Sequence, residues 1–144
     1  MAPKRILSID GGGVRGVVAI AFLEALEARL KDEFGPQTTI RDHFDLIGGT
    51  STGALLATGL ALGKSPSQML DLYFELAPKV FQRRMRRIKF LAPLFRSDEL
   101  ERQIMSVTEG RTLDTPDLKP GGLAIVTKRE SAGLEVGEIG RAHV

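Results

Sequence analysis

Apolar positions along this chain fall into short continuous runs and longer stretches in which they recur every three or four residues. Ile6-Leu7-Ser8-Ile9 is a short strand-like run that gives way to glycines. From Val17 onward, Val18, Phe22, Leu23, Leu26 and Leu30 recur at helical spacing, while Glu24, Glu27, Arg29, Lys31 and Asp32 fall largely elsewhere. This predicts a helix ending near Phe34, with Gly35-Pro36 as its stop signal. Arg41 to Phe44 has room for one helical turn before a second strand at Asp45 to Gly48. The apolar run after Ser51 predicts a helix to about Leu62, closed by Gly63. Ser65-Pro66-Ser67-Gln68 has the form of a capping box with proline at the first helical position, so Met69, Leu70, Leu72 and Tyr73 start another helix whose apolar face is core. Ser97-Asp98-Glu99 caps a further helix through about Val107, with acids where the helix dipole favours them, and Gly110 ends it. After a polar turn at Asp114 to Pro120, Gly122 to Lys128 reads as a buried third strand. Strands alternating with helices predict an α/β fold with a mainly parallel sheet.

A length of 144 residues suits one domain with a real core, and 42% hydrophobic with 26% charged residues fits neither disorder nor a fibrous repeat. The absence of cysteine excludes a disulfide scaffold and a thiolate metal site; two histidines, His43 and His143, are too few for a histidine-rich zinc centre. The longest apolar runs, Val17 to Leu23 and Ala54 to Leu62, are too short to span a bilayer, and Asp10 and Arg15 interrupt the region where a signal peptide needs its apolar stretch. These features predict a soluble, cytoplasmic protein. A formal charge of +2 is too small to argue for nucleic acid.

Chemistry concentrates where strand runs meet helices. Phe44-Asp45-Leu46-Ile47-Gly48 leads into Gly49-Thr50-Ser51-Thr52-Gly53 and directly out into the helix that follows. Gly-x-Ser-x-Gly between a strand and a helix is the order needed for a sharp turn that lifts one serine out of the backbone, which makes Ser51 a candidate nucleophile. Gly49 and Gly53 then serve a turn too tight for a β-carbon. The bland alternative is a turn of small residues that serves packing only.

Asp10-Gly11-Gly12-Gly13-Val14-Arg15-Gly16 is the second such junction, and Gly11, Gly13 and Gly16 satisfy G-x-G-x-x-G. A dinucleotide-binding unit wants an acid at the end of the second strand, yet Asp45 stands at its start and Gly48-Gly49-Thr50-Ser51 at its end. The other reading is an oxyanion loop, whose backbone N–H groups stabilise the negative oxygen formed when a serine attacks an ester. One junction shaped for an oxyanion and one for a nucleophile explain each other. Histidine is an unsuitable base here, because the usual order serine, acid, histidine is not met: His43 precedes Ser51 and His143 sits in an atypical tail. A carboxylate acting directly on the serine is the remaining route.

Arg83, Arg84, Arg86, Arg87 and Lys89, interleaved with Met85, Ile88, Phe90 and Leu91, suit either a solvated surface or peripheral contact with an anionic lipid surface. Three function classes are therefore carried: a serine hydrolase, a nucleotide-binding module on the glycine loop, and a non-catalytic lipid-surface module.

The paired motifs Asp10-Gly11-Gly12-Gly13-Val14-Arg15-Gly16 and Gly49-Thr50-Ser51-Thr52-Gly53, with Phe44 to Gly48 leading into the second, resemble the patatin-like phospholipases over roughly Lys4 to Arg129. The resemblance implies a three-layer α/β/α patatin-like fold, incomplete at the C-terminus, and a lipid acyl hydrolase that works through a Ser-Asp dyad. It further implies that Ser51 forms the acyl-enzyme, that Gly11, Gly12, Gly13 and Arg15 supply oxyanion donors, and that no metal or cofactor is needed. The family's catalytic aspartate lies in Asp-Gly-Gly or Asp-Gly-Ala well after the third strand, and no such tripeptide follows Lys128 here. The expectation is an N-terminal portion of the domain over residues 1–129, with an atypical tail over 130–144 and little activity of its own.

Overall fold

The computed structural model describes residues 3–81, 97–118 and 122–127. The three apolar runs become parallel strands, β1 (Ile6–Ile9), β2 (Leu46–Thr50) and β3 (Leu123–Val126), in the order β1-β2-β3. Ile9 pairs with Gly49, and Gly49 with Ile125, so the strands end level with one another. Parallel neighbours need a crossover, and the helices supply it. They are α1 (Gly16–Phe34), α2 (Ile40–His43), α3 (Thr52–Ala61), α4 (Pro66–Phe81) and α5 (Ser97–Thr108). This is the α/β architecture with a parallel sheet that the alternation predicts.

Local signals place the helix ends. The Gly35 N–H closes α1 on the Lys31 carbonyl with φ of 109°, and Gly63, with φ of 90°, donates to the Leu60 carbonyl after α3. The capping box before α4 is reciprocal: the Gln68 N–H reaches Ser65 Oγ at 3.2 Å, and the Ser65 N–H reaches Gln68 Oε1 at 2.8 Å.

α3 lies against all three strands, chiefly β2, and Leu56 to Ala61 are buried in succession, which explains why its sequence is apolar all round. Ile9, Ile20, Leu23, Ile47, Leu56, Leu60 and Met69 join in one core. Each large apolar side chain buried there contributes roughly 1.5–3 kcal/mol.

Two expectations shift. In α1 the buried stripe is Gly16, Ile20, Leu23, Glu27 and Leu30, while Val18 and Phe22 are each 68% exposed among the described residues. Spacing alone could not choose between two overlapping apolar faces, and contact with α4 decides. Glu27 is buried despite its charge because Lys31, one turn on, bonds it at 3.0 Å. β3, expected to be buried, is half-buried at Leu123 and Ala124 and exposed at Val126. An apolar run reports what a strand is able to bury; among the described residues β3 pairs with β2 alone and packs on α3.

The Arg83–Lys89 stretch and the 130–144 tail lie outside the described residues. No described helix is long and apolar enough to cross a membrane.

Candidate active site

β2 runs two residues beyond its expected end, to Thr50, and α3 begins at Thr52, so Ser51 alone makes the turn between them. Its backbone sits at φ 52° and ψ −124°. A non-glycine residue held there stores about 1–3 kcal/mol, which the surrounding packing must offset. Ser51 caps α3 with its carbonyl, which accepts from the Ala54 N–H at 2.9 Å. Its side chain makes no capping bond, although a serine in this position ordinarily bonds the first-turn amides. The positive φ turns the hydroxyl away from the helix, and the residue is solvent-exposed.

Close backbone approach accounts for the flanking glycines. A β-carbon on Gly49 would lie 2.4 Å from the Gly53 carbonyl group, and one on Gly53 would lie 2.1 Å from the Ile9 carbonyl oxygen. The turn is thus packed on itself and on the end of β1.

The glycine loop is brought to this turn because β1 and β2 end level. A β-carbon on Gly11 would lie 2.6 Å from the Thr50 carbonyl oxygen and 2.7 Å from Ser51 Cβ. The Gly11 N–H donates to Thr50 Oγ1 at 3.0 Å. Gly13 to Arg15 form a 3-10 turn in which the Arg15 N–H bonds the Gly12 carbonyl at 3.1 Å. Two of the four expected donors are thereby engaged within the chain. Among the described residues the Gly12 and Gly13 N–H groups have no hydrogen-bond partner. Gly16 seats the start of α1 against Thr52 Cγ2 and the Tyr73 ring, which its β-carbon would meet at 2.8 and 3.3 Å.

Two residues of this site carry no motif of their own. Thr50 ties the glycine loop to the serine turn, and Tyr73 of α4 donates its phenolic O–H to the Gly13 carbonyl at 3.2 Å. Burial raises the Tyr73 phenol above its ordinary range, so it stays protonated as a donor. The sequence pattern marked Thr50 only as the variable position of Gly-x-Ser-x-Gly and Tyr73 only as part of a helix face.

His43 and Asp45 stand at the other end of β2. Five strand residues at about 3.3 Å each put that end roughly 16 Å from Ser51. The Arg5 guanidinium approaches both His43 Nδ1 and the His43 carbonyl, and Asp45 bonds Lys4 and the Arg5 N–H. Burial first, and Arg5 second, lower the His43 pKa, against the raising effect of Glu33. Asp117 is held by Arg111 at 2.8 Å in the connection that enters β3. None of these groups is brought to Ser51.

A family model described as patatin-like phospholipase matches residues 7–130. The chain is 38% identical over 105 residues to a cGAMP-activated phospholipase of Escherichia coli, covering 69% of this chain and 30% of that protein. It is 45% identical over 80 residues to an intracellular phospholipase A2 of Caenorhabditis elegans, covering 56% of this chain and 7% of the relative. To patatin-like protein 2 of Arabidopsis thaliana it is 40% identical over 83 residues, 53% of this chain and 20% of that one. The chain therefore spans under a third of the length of each of these relatives.

Proposed function

The chain belongs to the patatin-like phospholipase family, and on that premise we propose that it carries the nucleophile and oxyanion loop of a serine lipid acyl hydrolase. The observation that carries this reading is the meeting of the two motifs, with Gly11 against Ser51 and the Ser51 hydroxyl free of any capping bond.

Ser51 Oγ attacks the carbonyl carbon of a fatty-acyl ester, the Oγ proton passes to a carboxylate base, and the carbonyl electron pair becomes an oxyanion. The Gly12 and Gly13 amides, uncommitted among the described residues, are the donors, with Gly11 and Arg15 shaping the loop around them. Each well-aimed donor supplies about 3 kcal/mol to the transition state. Collapse re-forms the carbonyl and expels the alcohol, which takes the proton; water then releases the fatty acid by the reverse sequence. Amides at the α3 N-terminus favour negative charge at Ser51 throughout.

The base is the aspartate of the family's Ser-Asp dyad. Asp45 is engaged by Lys4 at the other end of β2, Asp117 is engaged by Arg111, and no aspartate follows Asp117 in this sequence. We assign residues 1–129 to the N-terminal portion of the domain and expect the isolated chain to turn over esters slowly or not at all. Arg83 to Lys89 would support peripheral contact with a lipid surface.

The test is an alkyl fluorophosphonate applied to the full-length protein that contains this chain, with Ser51→Ala as control. The expected result is labelling of the wild type only. Equal labelling of both proteins overturns the assignment of Ser51.

A further inference from the structure

We propose that Thr50 and Tyr73 are positioning residues for the oxyanion loop, their hydroxyl groups fastening it to the serine turn at Gly11 and to α4 at Gly13. The inference rests on the serine hydrolase reading above and assigns roles to two side chains that the motifs do not specify, Thr50 at the variable position of Gly-x-Ser-x-Gly and Tyr73 on α4.

A loop of successive glycines does not hold its own shape, since each has wide φ freedom and no side chain to pack. An oxyanion site nevertheless requires amides fixed before the reaction begins, because misplacement by about 1 Å costs roughly a hundredfold in rate. Something outside the glycines must therefore hold them. The structure offers one fastening on each side of the two uncommitted amides. Before them, Thr50 Oγ1 accepts the Gly11 N–H at 3.0 Å, and Thr50 immediately precedes Ser51. Loop and nucleophile are thereby referenced to the same residue. After them, the Tyr73 O–H meets the Gly13 carbonyl at 3.2 Å. That carbonyl belongs to the peptide leaving Gly13, whose φ of 55° is a conformation glycine adopts without strain. Tyr73 also lies against Gly16, where the Tyr73 Cε2 atom would meet a β-carbon at 3.3 Å. The ring thus supports the start of α1 while the hydroxyl orients the peptide before it. The Tyr73 bond is half-buried, which shields it from competing water, while the Thr50 bond is exposed.

A purely structural role would predict that ring and methyl packing matter and the hydroxyls do not. A positioning role predicts the reverse. The experiment is saturable inactivation of the full-length protein by an alkyl fluorophosphonate, in which Ser51 Oγ forms a bond to phosphorus, fluoride leaves and the Oγ proton goes to the base. It reports a maximal rate and a half-saturating concentration separately. Tyr73→Phe keeps the ring, Thr50→Val keeps the shape, and Thr50→Ser keeps the hydroxyl. Tyr73→Phe and Thr50→Val should lower the maximal rate about tenfold to a hundredfold with half-saturation unchanged, and Thr50→Ser should stay within about threefold of wild type. An unchanged maximal rate in both hydroxyl-deleted variants, with labelling abolished by Ser51→Ala, overturns the positioning role and leaves the nucleophile in place. Thr50→Ser falling as far as Thr50→Val overturns the hydroxyl's part at Thr50. Labelling that survives Ser51→Ala overturns the serine reading and this inference together.

Discussion

Gly53 at the start of α3 approaches the Ile9 carbonyl so closely that a β-carbon there would lie 2.1 Å from the oxygen. The last residue of β1 and the first turn of α3 are thus one packing unit, and the serine between β2 and α3 is held from both sides. Such a contact is with backbone, which has no rotamer to swing away.

Gly53→Ala is therefore expected to destabilise the protein by about 1–3 kcal/mol or more, as overpacking does in a close-packed core. Thermal melting measures it. A melting temperature equal to wild type would show that α3 is able to slide and that the approach is not required.

Ser51 should give the opposite sign. At φ 52° and ψ −124° the serine is strained, and glycine adopts such a backbone without cost. Ser51→Gly is expected to melt above Ser51→Ala by a margin of about 1 kcal/mol, the strain relieved less the extra chain entropy that glycine loses. Both variants should be unlabelled by a fluorophosphonate. Alanine melting at or above glycine would deny that backbone strain is stored at this position.

The acid-side stability should depend on Glu109. Hydrogen bonds from Lys64 and then Arg111 hold its carboxylate down to about 2, and this exposed cluster ties the end of α3 to the chain after α5. A depressed carboxylate contributes stability that is present above its ordinary pKa of 4.5 and is lost as the pH falls through about 2. Between those limits wild type should lose melting temperature more steeply than Glu109→Gln. Parallel curves would mean that the cluster contributes nothing to folding, as exposed ion pairs often do.

His43 has a lowered pKa, through burial and Arg5. Its neutral form is favoured by folding, so that contribution is present above its ordinary value near 6.5 and is lost as the pH falls below it. Its distance from Ser51 sets a separate expectation for chemistry. The pH profile of fluorophosphonate labelling in the full-length protein should be the same in His43→Gln as in wild type. A shifted acid limb would reinstate histidine as the base.

Most of what a strand-to-helix junction requires is local, and the sequence is legible there. The three strand runs, Gly35 and Gly63 as helix ends, and the Ser65–Gln68 capping box follow from periodicity and turn chemistry within a few residues. So does the choice of Ser51, because only a tight turn between strand and helix explains its glycine neighbours. Long-range relations needed the fold. That Gly11 meets Ser51 follows from the parallel register that sets Ile9 beside Gly49, a pairing between residues 40 positions apart. No pattern gives the roles of Thr50 and Tyr73, since a hydroxyl's partner depends on which backbone arrives opposite it. The face of α1 that is buried, the covering of Glu27 and the partial exposure of β3 were likewise decided by neighbouring elements. The sequence by itself determined where the chain turns and which residue the turn presents, because turns are governed by local sterics. Tertiary structure alone decided what stands beside that residue, because proximity across a sheet is a property of register and packing.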